Sequence, residues 1–337
     1  MNTKQEIVDA MNGEHEGPAP PALFTQTGTV EMMESCGAYW PEANFNIDAM
    51  VRLALQPSEL YGFSTARIPF DITAEAERLG CEIFEGDSKR QPMVTGSPWR
   101  TGEVLDPPDL MPVDEFLSGG RVRLHIDAAE RISKEHPELF LTSCIIDPTG
   151  VASHMVGMEN MIMALFLAPD AVLKWSEKLT PYQCAYAEAL SEHSDNIMMI
   201  SGGSEDISPP DTFDTFTRPF NSKVFSSIRE SFSLAHSCGH TDSVLEKLAS
   251  LGETALSVES HGDPARIVEH VGETVIVAGG VSPVSTLMLG TPEEVVGSAW
   301  KSSDSGYDVI MSECGVPPQT PGTNLRALAE YRGRQHN

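Results

Sequence analysis

From residue 139 to the C-terminus, short runs rich in aliphatic and β-branched residues alternate with helix-patterned segments, most of them roughly 20 residues apart. Residues 139–146, 196–200, 233–237, 255–260, 274–278 and 308–311 read as strands. Residues 158–167, 182–193, 242–251, 264–271, 293–301 and 324–331 read as helices. A long helix is expected over 212–230, where Pro219 either kinks or divides it. Strands joined through helices run parallel, so the chain has two solutions: an open doubly wound sheet or a closed eight-stranded (β/α)8 TIM barrel. Length and repetition favour the barrel. The open sheet stays as the alternative because the first hundred residues are less regular. No glycine-rich phosphate turn follows any of the strands, which argues against a dinucleotide enzyme.

The 337 residues fit one large barrel as easily as two ordinary domains. A proline-rich stretch at 18–21 is expected to end an N-terminal leader of residues 1–20, leaving residues 21–337 as a single domain. The polar, acidic first 17 residues lack the basic region and apolar run of a signal peptide, and no apolar stretch approaches the roughly 20 residues of a membrane span. A cytoplasmic protein is therefore expected. The chain carries 22 Lys+Arg against 49 Asp+Glu. A field of that sign repels phosphate backbones and anionic membranes, so neither nucleic acid nor membrane is an expected partner.

Six cysteines, at 36, 81, 144, 184, 238 and 314, are too sparse and irregular for a disulfide scaffold. Most read as small buried fillers. Cys238 and Cys314 stand apart. In Leu234-Ala235-His236-Ser237-Cys238-Gly239, His236 and Cys238 are two residues apart at a strand end, so both side chains point the same way. Cys314 follows the strand at 308–311, which places it on the same C-terminal face of a barrel, where such enzymes carry their active sites. Two thiolates and an imidazole make a zinc site with three protein ligands and an open fourth position. The alternative is a hydrogen-bonded core histidine among buried cysteines. Glu259 ends the next strand and reads either as a further, reversible ligand or as a rim carboxylate. His240 and His261 read as loop residues or partners of the ligands. Asp71 and Arg67, around an early β-like run, are candidates for holding a polar or anionic substrate group. Met158, Met161 and Met163 read as core filling beside a helix.

Several segments together resemble the methylcobamide:coenzyme M methyltransferases of the uroporphyrinogen decarboxylase superfamily. They are TQTGTVEMMESCGAYWPEA (25–43), AEAERLGCEIFEG (74–86), SPPDTFDTF (208–216) and GVPPQTPGTNLRAL (315–328). The family's zinc motif, HxCG with a distant CG, matches His236-Ser237-Cys238-Gly239 and Cys314-Gly315, and the segment 255–259 matches as well. His240 and the stretch His261-Gly262-Asp263 depart from the pattern.

The resemblance implies a (β/α)8 barrel of the uroporphyrinogen decarboxylase type that binds Zn²⁺ through His236, Cys238 and Cys314, with Glu259 as a reversible ligand. It further implies methyl transfer from a methylcobamide, carried by a partner corrinoid protein, to the thiol of coenzyme M, as in methanogenesis from methylated compounds. Two rival readings accompany it. One is a metal-free decarboxylase of the same barrel using Asp71, although residues 25–30 lack the arginines such an enzyme usually carries. The other is a noncatalytic corrinoid-protein-binding module with structural zinc.

Overall fold

The computed structural model describes residues 2–101 and 106–334. Among the described residues nine strands form: β1 Thr65–Ile68, β2 Glu82–Phe84, β3 Met93–Gly96, β4 Phe140–Ile146, β5 Asn196–Ile200, β6 Phe232–Ser237, β7 Ala255–Val258, β8 Ile276–Val281 and β9 Val309–Ser312. Seven make one sheet in the order β1-β4-β5-β6-β7-β8-β9, with every neighbouring pair parallel. β2 and β3 form a separate antiparallel ribbon. The expected strands 139–146, 196–200, 233–237, 255–260, 274–278 and 308–311 correspond to β4 through β9, with shifts at their ends.

The eighth stave of the barrel comes from the N-terminal segment. Pro21 bridges Ile310 in parallel, Ala22 N–H donates to Ile310 O at 2.9 Å, and Ile310 N–H donates to Pro20 O at 3.0 Å. On the other side, Leu23 N–H donates to Thr65 Oγ1 of β1 at 3.3 Å. The proline-rich stretch, expected to end a leader, thus closes the barrel instead. Proline tolerates this place because its missing N–H costs nothing at a position that makes few ladder bonds.

The residues ahead of it are integral too. A helix over Lys4–Met11, held at its start by a capping box between Thr3 and Glu6, turns Ile7, Ala10 and Met11 inward. These three join Phe24, Phe140, Met198, Leu234, Val309 and Met311 in the cluster that fills the barrel. The inward set recurs every second residue along each strand, as the pleat requires. By the same parity His236, two residues beyond Leu234, reaches the interior at the C-terminal end of β6.

The outer layer includes the helices Gly120–Glu135, Pro169–Ser191, Pro264–Val271, Pro292–Asp304 and Gly322–Ala329. The helix expected at 182–193 is the second half of a 23-residue helix that runs through Pro181. The one expected at 212–230 is divided at Thr217, just before Pro219, into Phe213–Phe216 and Arg218–Ser227. Met161 is buried as expected, but Met158 and Met163 are 44% and 57% exposed. Their helix, Met158–Leu167, buries only Met161 and Ala164, because it lies along the barrel mouth instead of against the sheet. Among the described residues no single helix is long and apolar enough to cross a membrane.

Candidate metal centre

His236 and Cys238 leave the end of β6, and Cys314 follows β9, so the two strand ends bring three donors together. All three ligand atoms lie within 4.8 Å of one another. His236 Nε2 is 3.1 Å from Cys238 Sγ, which is 3.1 Å from Cys314 Sγ. The other imidazole nitrogen, Nδ1, meets Ser257 Oγ of β7 at 3.2 Å. A partner on Nδ1 fixes the ring and leaves Nε2 turned toward the sulfurs, as in metal-ligating histidines generally. Gly239 completes the turn: its φ is +76°, and a Cβ there would stand 2.3 Å from Asp206 Oδ2. The left-handed φ favours glycine, and a side chain there would also push Asp206 aside.

Hydrogen bonding from Cys238 holds the Cys314 thiol well below its usual range, against the opposing effect of burial and with help from His236. The same bond, followed by burial and the nearby charges of Cys314 and Glu259, pushes the Cys238 thiol up. Two thiolates and an oriented imidazole suit zinc, and three protein ligands leave a fourth position open. Cys238, the exposed member of the group, lies at the mouth of the barrel.

Glu259 lies outside the converging group. Its Oε1 accepts from Gly239 N–H at 2.8 Å and so supports the turn that carries Cys238. His240 and His261 occupy loops above the site, with ring centroids 4.4 Å apart and nearly parallel. His240 Nδ1 lies 3.0 Å from Asp206 Oδ1, and His261 Nε2 lies 3.3 Å from Gly239 O. Neither belongs to the donor set.

Asp71 and Arg67 are both buried. Asp71 is committed on both oxygens: Oδ1 accepts from Thr73 N–H at 2.8 Å and from Thr73 Oγ1 at 2.6 Å, and Oδ2 pairs with Arg121 Nη1 at 2.7 Å. Burial alone raises the pKa of this carboxyl, but the Arg121 guanidinium and the Thr73 bonds outweigh it and hold it below the usual carboxylate range. Arg121 also binds Glu77 Oε2 and lies 4.8 Å from the centre of the Phe45 ring. Asp71 is therefore tied into the wall of the barrel and does not present a free carboxylate. Arg67 points inward from β1 and donates to Pro69 O through Nη1, while its Nε has no hydrogen-bond partner among the described residues.

Two cavities meet at the donor group. One, of about 250 Å³, runs past Cys238 between Ile146, Met161, Leu165 and Phe216, with Asp147 at its floor. The other, of about 720 Å³, runs past Cys314 and is rimmed by Lys89, Arg90, Arg100 and Met93. His154 and Met158 line both. Sequence reasoning missed Ser257, His154 and the three cations. Ser257 alone had a signal, since it shares the inward parity of Glu259 on the strand beside His236.

The profile described as uroporphyrinogen decarboxylase (URO-D) matches residues 2–335. The methylcobamide:CoM methyltransferase MtbA of Methanosarcina mazei is 32% identical over 333 residues, covering 97% of this chain and 96% of that one. The methylcobamide:CoM methyltransferase MtaA of Methanosarcina barkeri is 31% identical over 333 residues, with 98% and 97% covered. A solved methyltransferase from Methanosarcina mazei, 31% identical, superimposes with a TM-score of 0.91 over 99% of both chains.

Proposed function

Because the chain belongs to the uroporphyrinogen decarboxylase family, and within it stands with methylcobamide:CoM methyltransferases, we propose that it moves a methyl group from a methylated corrinoid protein to the thiol of coenzyme M. The reaction would run in the cytoplasm, with one zinc ion held by His236, Cys238 and Cys314. The observation that carries this reading is the convergence of those three donors at the mouth of the barrel, where two cavities meet. Zinc supplies one thing: a coordinated thiol loses its proton at neutral pH.

The chain's residues do the rest. Ser257 sets the imidazole so that Nε2 faces the sulfurs, and Gly239 with Glu259 fixes the backbone that presents Cys238. To act as a reserve ligand to a bound zinc when no thiol is present, Glu259 would have to release Gly239 N–H. The apolar walls of the cavity at Cys238 keep water from the sulfur nucleophile. That sulfur forms the new S–CH₃ bond as the Co–CH₃ bond breaks, and the electron pair of the broken bond stays on the partner's cobalt, taking Co(III) to Co(I).

Both rival readings have an observation against them. A decarboxylase needs Asp71 at its substrate, and Asp71 is occupied by Arg121 and Thr73. A purely structural zinc site is closed by four protein ligands, whereas here three converge and one of them, Cys238, is exposed. The test is metal analysis of Cys238→Ala and Cys314→Ala together with methyl transfer from methylcobalamin to coenzyme M. Loss of both zinc and transfer is expected. Normal turnover by a demonstrably zinc-free variant would end the proposal.

A further inference from the structure

The two sulfurs of the metal centre also form a pair in their own right. Cys238 Sγ and Cys314 Sγ lie 3.1 Å apart, the one Sγ–Sγ contact among the described residues. Two sulfurs held at about 2.3 Å by one tetrahedral zinc stand about 3.8 Å apart, and a disulfide needs about 2.05 Å, so the pair sits between the two arrangements. Both sulfurs can be reached from outside. Cys238 is exposed, and Cys314 lines the cavity of about 720 Å³ at the barrel mouth. The described lining of that cavity has Lys89, Arg90 and Arg100 and no Asp or Glu, in a chain with 49 acids against 22 bases. Arg90 is paired with Asp87 at 2.7 Å, whereas Lys89 and Arg100 have no carboxylate partner among the described residues. A cationic opening on an acidic protein draws small anions toward the sulfur behind it.

Resting on the reading that His236, Cys238 and Cys314 hold zinc and that the acceptor is coenzyme M, a small sulfonated thiol, we infer that the cysteine pair is a redox switch thrown by the acceptor's own disulfide. The Cys314 thiolate attacks one sulfur of that disulfide, which gives a mixed disulfide on Cys314 and releases one thiolate. Cys238, 3.1 Å away, then attacks Cys314 Sγ and expels the second thiolate. Two cysteine thiolates are oxidised to one protein disulfide while one small disulfide is reduced to two thiolates, so no further oxidant is consumed. The Cys238–Cys314 disulfide offers a metal no thiolate, and His236 alone does not retain zinc. Methyl transfer therefore stops when the acceptor is held as its disulfide and has no thiol to receive a methyl group. A thiol reductant and fresh zinc reverse the exchange. The other cysteines take no part: Cys81 and Cys144 are buried, and neither they nor Cys36 and Cys184 contact a second sulfur among the described residues.

The test treats the zinc-loaded full chain, kept free of air, with the disulfide of coenzyme M. Zinc release into a chromogenic chelator, intact mass and the disulfide-linked peptides are followed together. Zinc release should keep pace with the loss of two hydrogens from the protein, and the peptides carrying Cys238 and Cys314 should be found joined. Excess dithiol with zinc should then restore both the metal content and methyl transfer. In Cys238→Ser the reaction should stop at the mixed disulfide on Cys314. Lys89→Glu should slow zinc release about 3- to 10-fold with this anionic disulfide and leave the rate with neutral hydroxyethyl disulfide unchanged. Lys89 makes no side-chain hydrogen bond or ion pair among the described residues, so its replacement breaks no contact. Zinc retained after prolonged treatment, or a linkage through any other cysteine, would overturn the inference. So would an equal effect of Lys89→Glu on both disulfides, or none on either. A wild-type chain that takes up no zinc from the outset would sink the underlying metal reading instead.

Discussion

Replacing Arg121 with methionine removes one guanidinium from a site where its carboxylate partner cannot reach water. Asp71 is 3% exposed, and its Oδ2 loses the 2.7 Å contact with Arg121 Nη1, while Thr73 and Glu77 lose their donors as well. Breaking a buried pair by removing one member typically costs about 3–5 kcal/mol, because the remaining charge is left uncompensated. Unfolding entropy of about 2.1 cal/mol/K per residue gives about 0.7 kcal/mol/K for 337 residues, so the melting point should fall by about 4–7 °C. The double variant Asp71→Asn/Arg121→Met should recover much of that loss, since no buried charge remains. Calorimetry of both single variants, the double and the wild type gives the coupling energy directly. The pH dependence has a fixed sign. Asp71 has a depressed pKa in the fold, so its contribution is present above the ordinary value of 3.8 and is lost as pH falls through the folded value. A coupling energy near zero, or a double variant worse than the sum of the singles, would refute the claim that Asp71 is held by Arg121. Asp71→Asn that keeps its zinc yet loses methyl transfer would refute its structural role.

Other expectations concern the shell of the metal centre and the buried acids. Ser257→Ala frees His236 Nδ1 and should weaken zinc binding about 10- to 100-fold in a competition titration with a chelator, which lowers the melting temperature at a fixed excess of zinc by about 2–4 °C. Burial pushes the Glu75 carboxyl from 4.5 up to about 7, so the folded state holds a proton that the unfolded state has released. Stability should therefore fall by about 3 kcal/mol as pH rises between those values. Glu75→Gln should match the wild type near pH 4.5 and exceed it at pH 8 in denaturant titrations, and equal gains at both pH values would contradict this.

The metal donors were legible because they depend on local rules. The two-residue spacing of His236 and Cys238 at a strand end fixes their common direction, and the βα rhythm places Cys314 on the same face. The N-terminal stave was not legible, since a proline-rich segment joined to its neighbours by a few bonds has no alternating pattern. The helix Lys4–Met11 went unrecognised for a related reason: its polar side faces solvent, and only Ile7, Ala10 and Met11 mark the buried side. Asp71 looked free because its partner lies 50 residues away in sequence. Met158 and Met163 misled because apolar composition does not distinguish a helix against the sheet from one lining a cavity mouth. The cationic rim depends on folding the β2–β3 ribbon over the barrel, which no sequence spacing reports.

The most direct test of the account is X-ray absorption at the zinc edge, with and without coenzyme M. If His236, Cys238 and Cys314 hold the ion and leave a position for the acceptor, the zinc should have two sulfur neighbours at about 2.3 Å in the resting protein and three after the thiol is added. An unchanged sulfur count in a sample that turns over would contradict the claim that the thiol is activated at this centre.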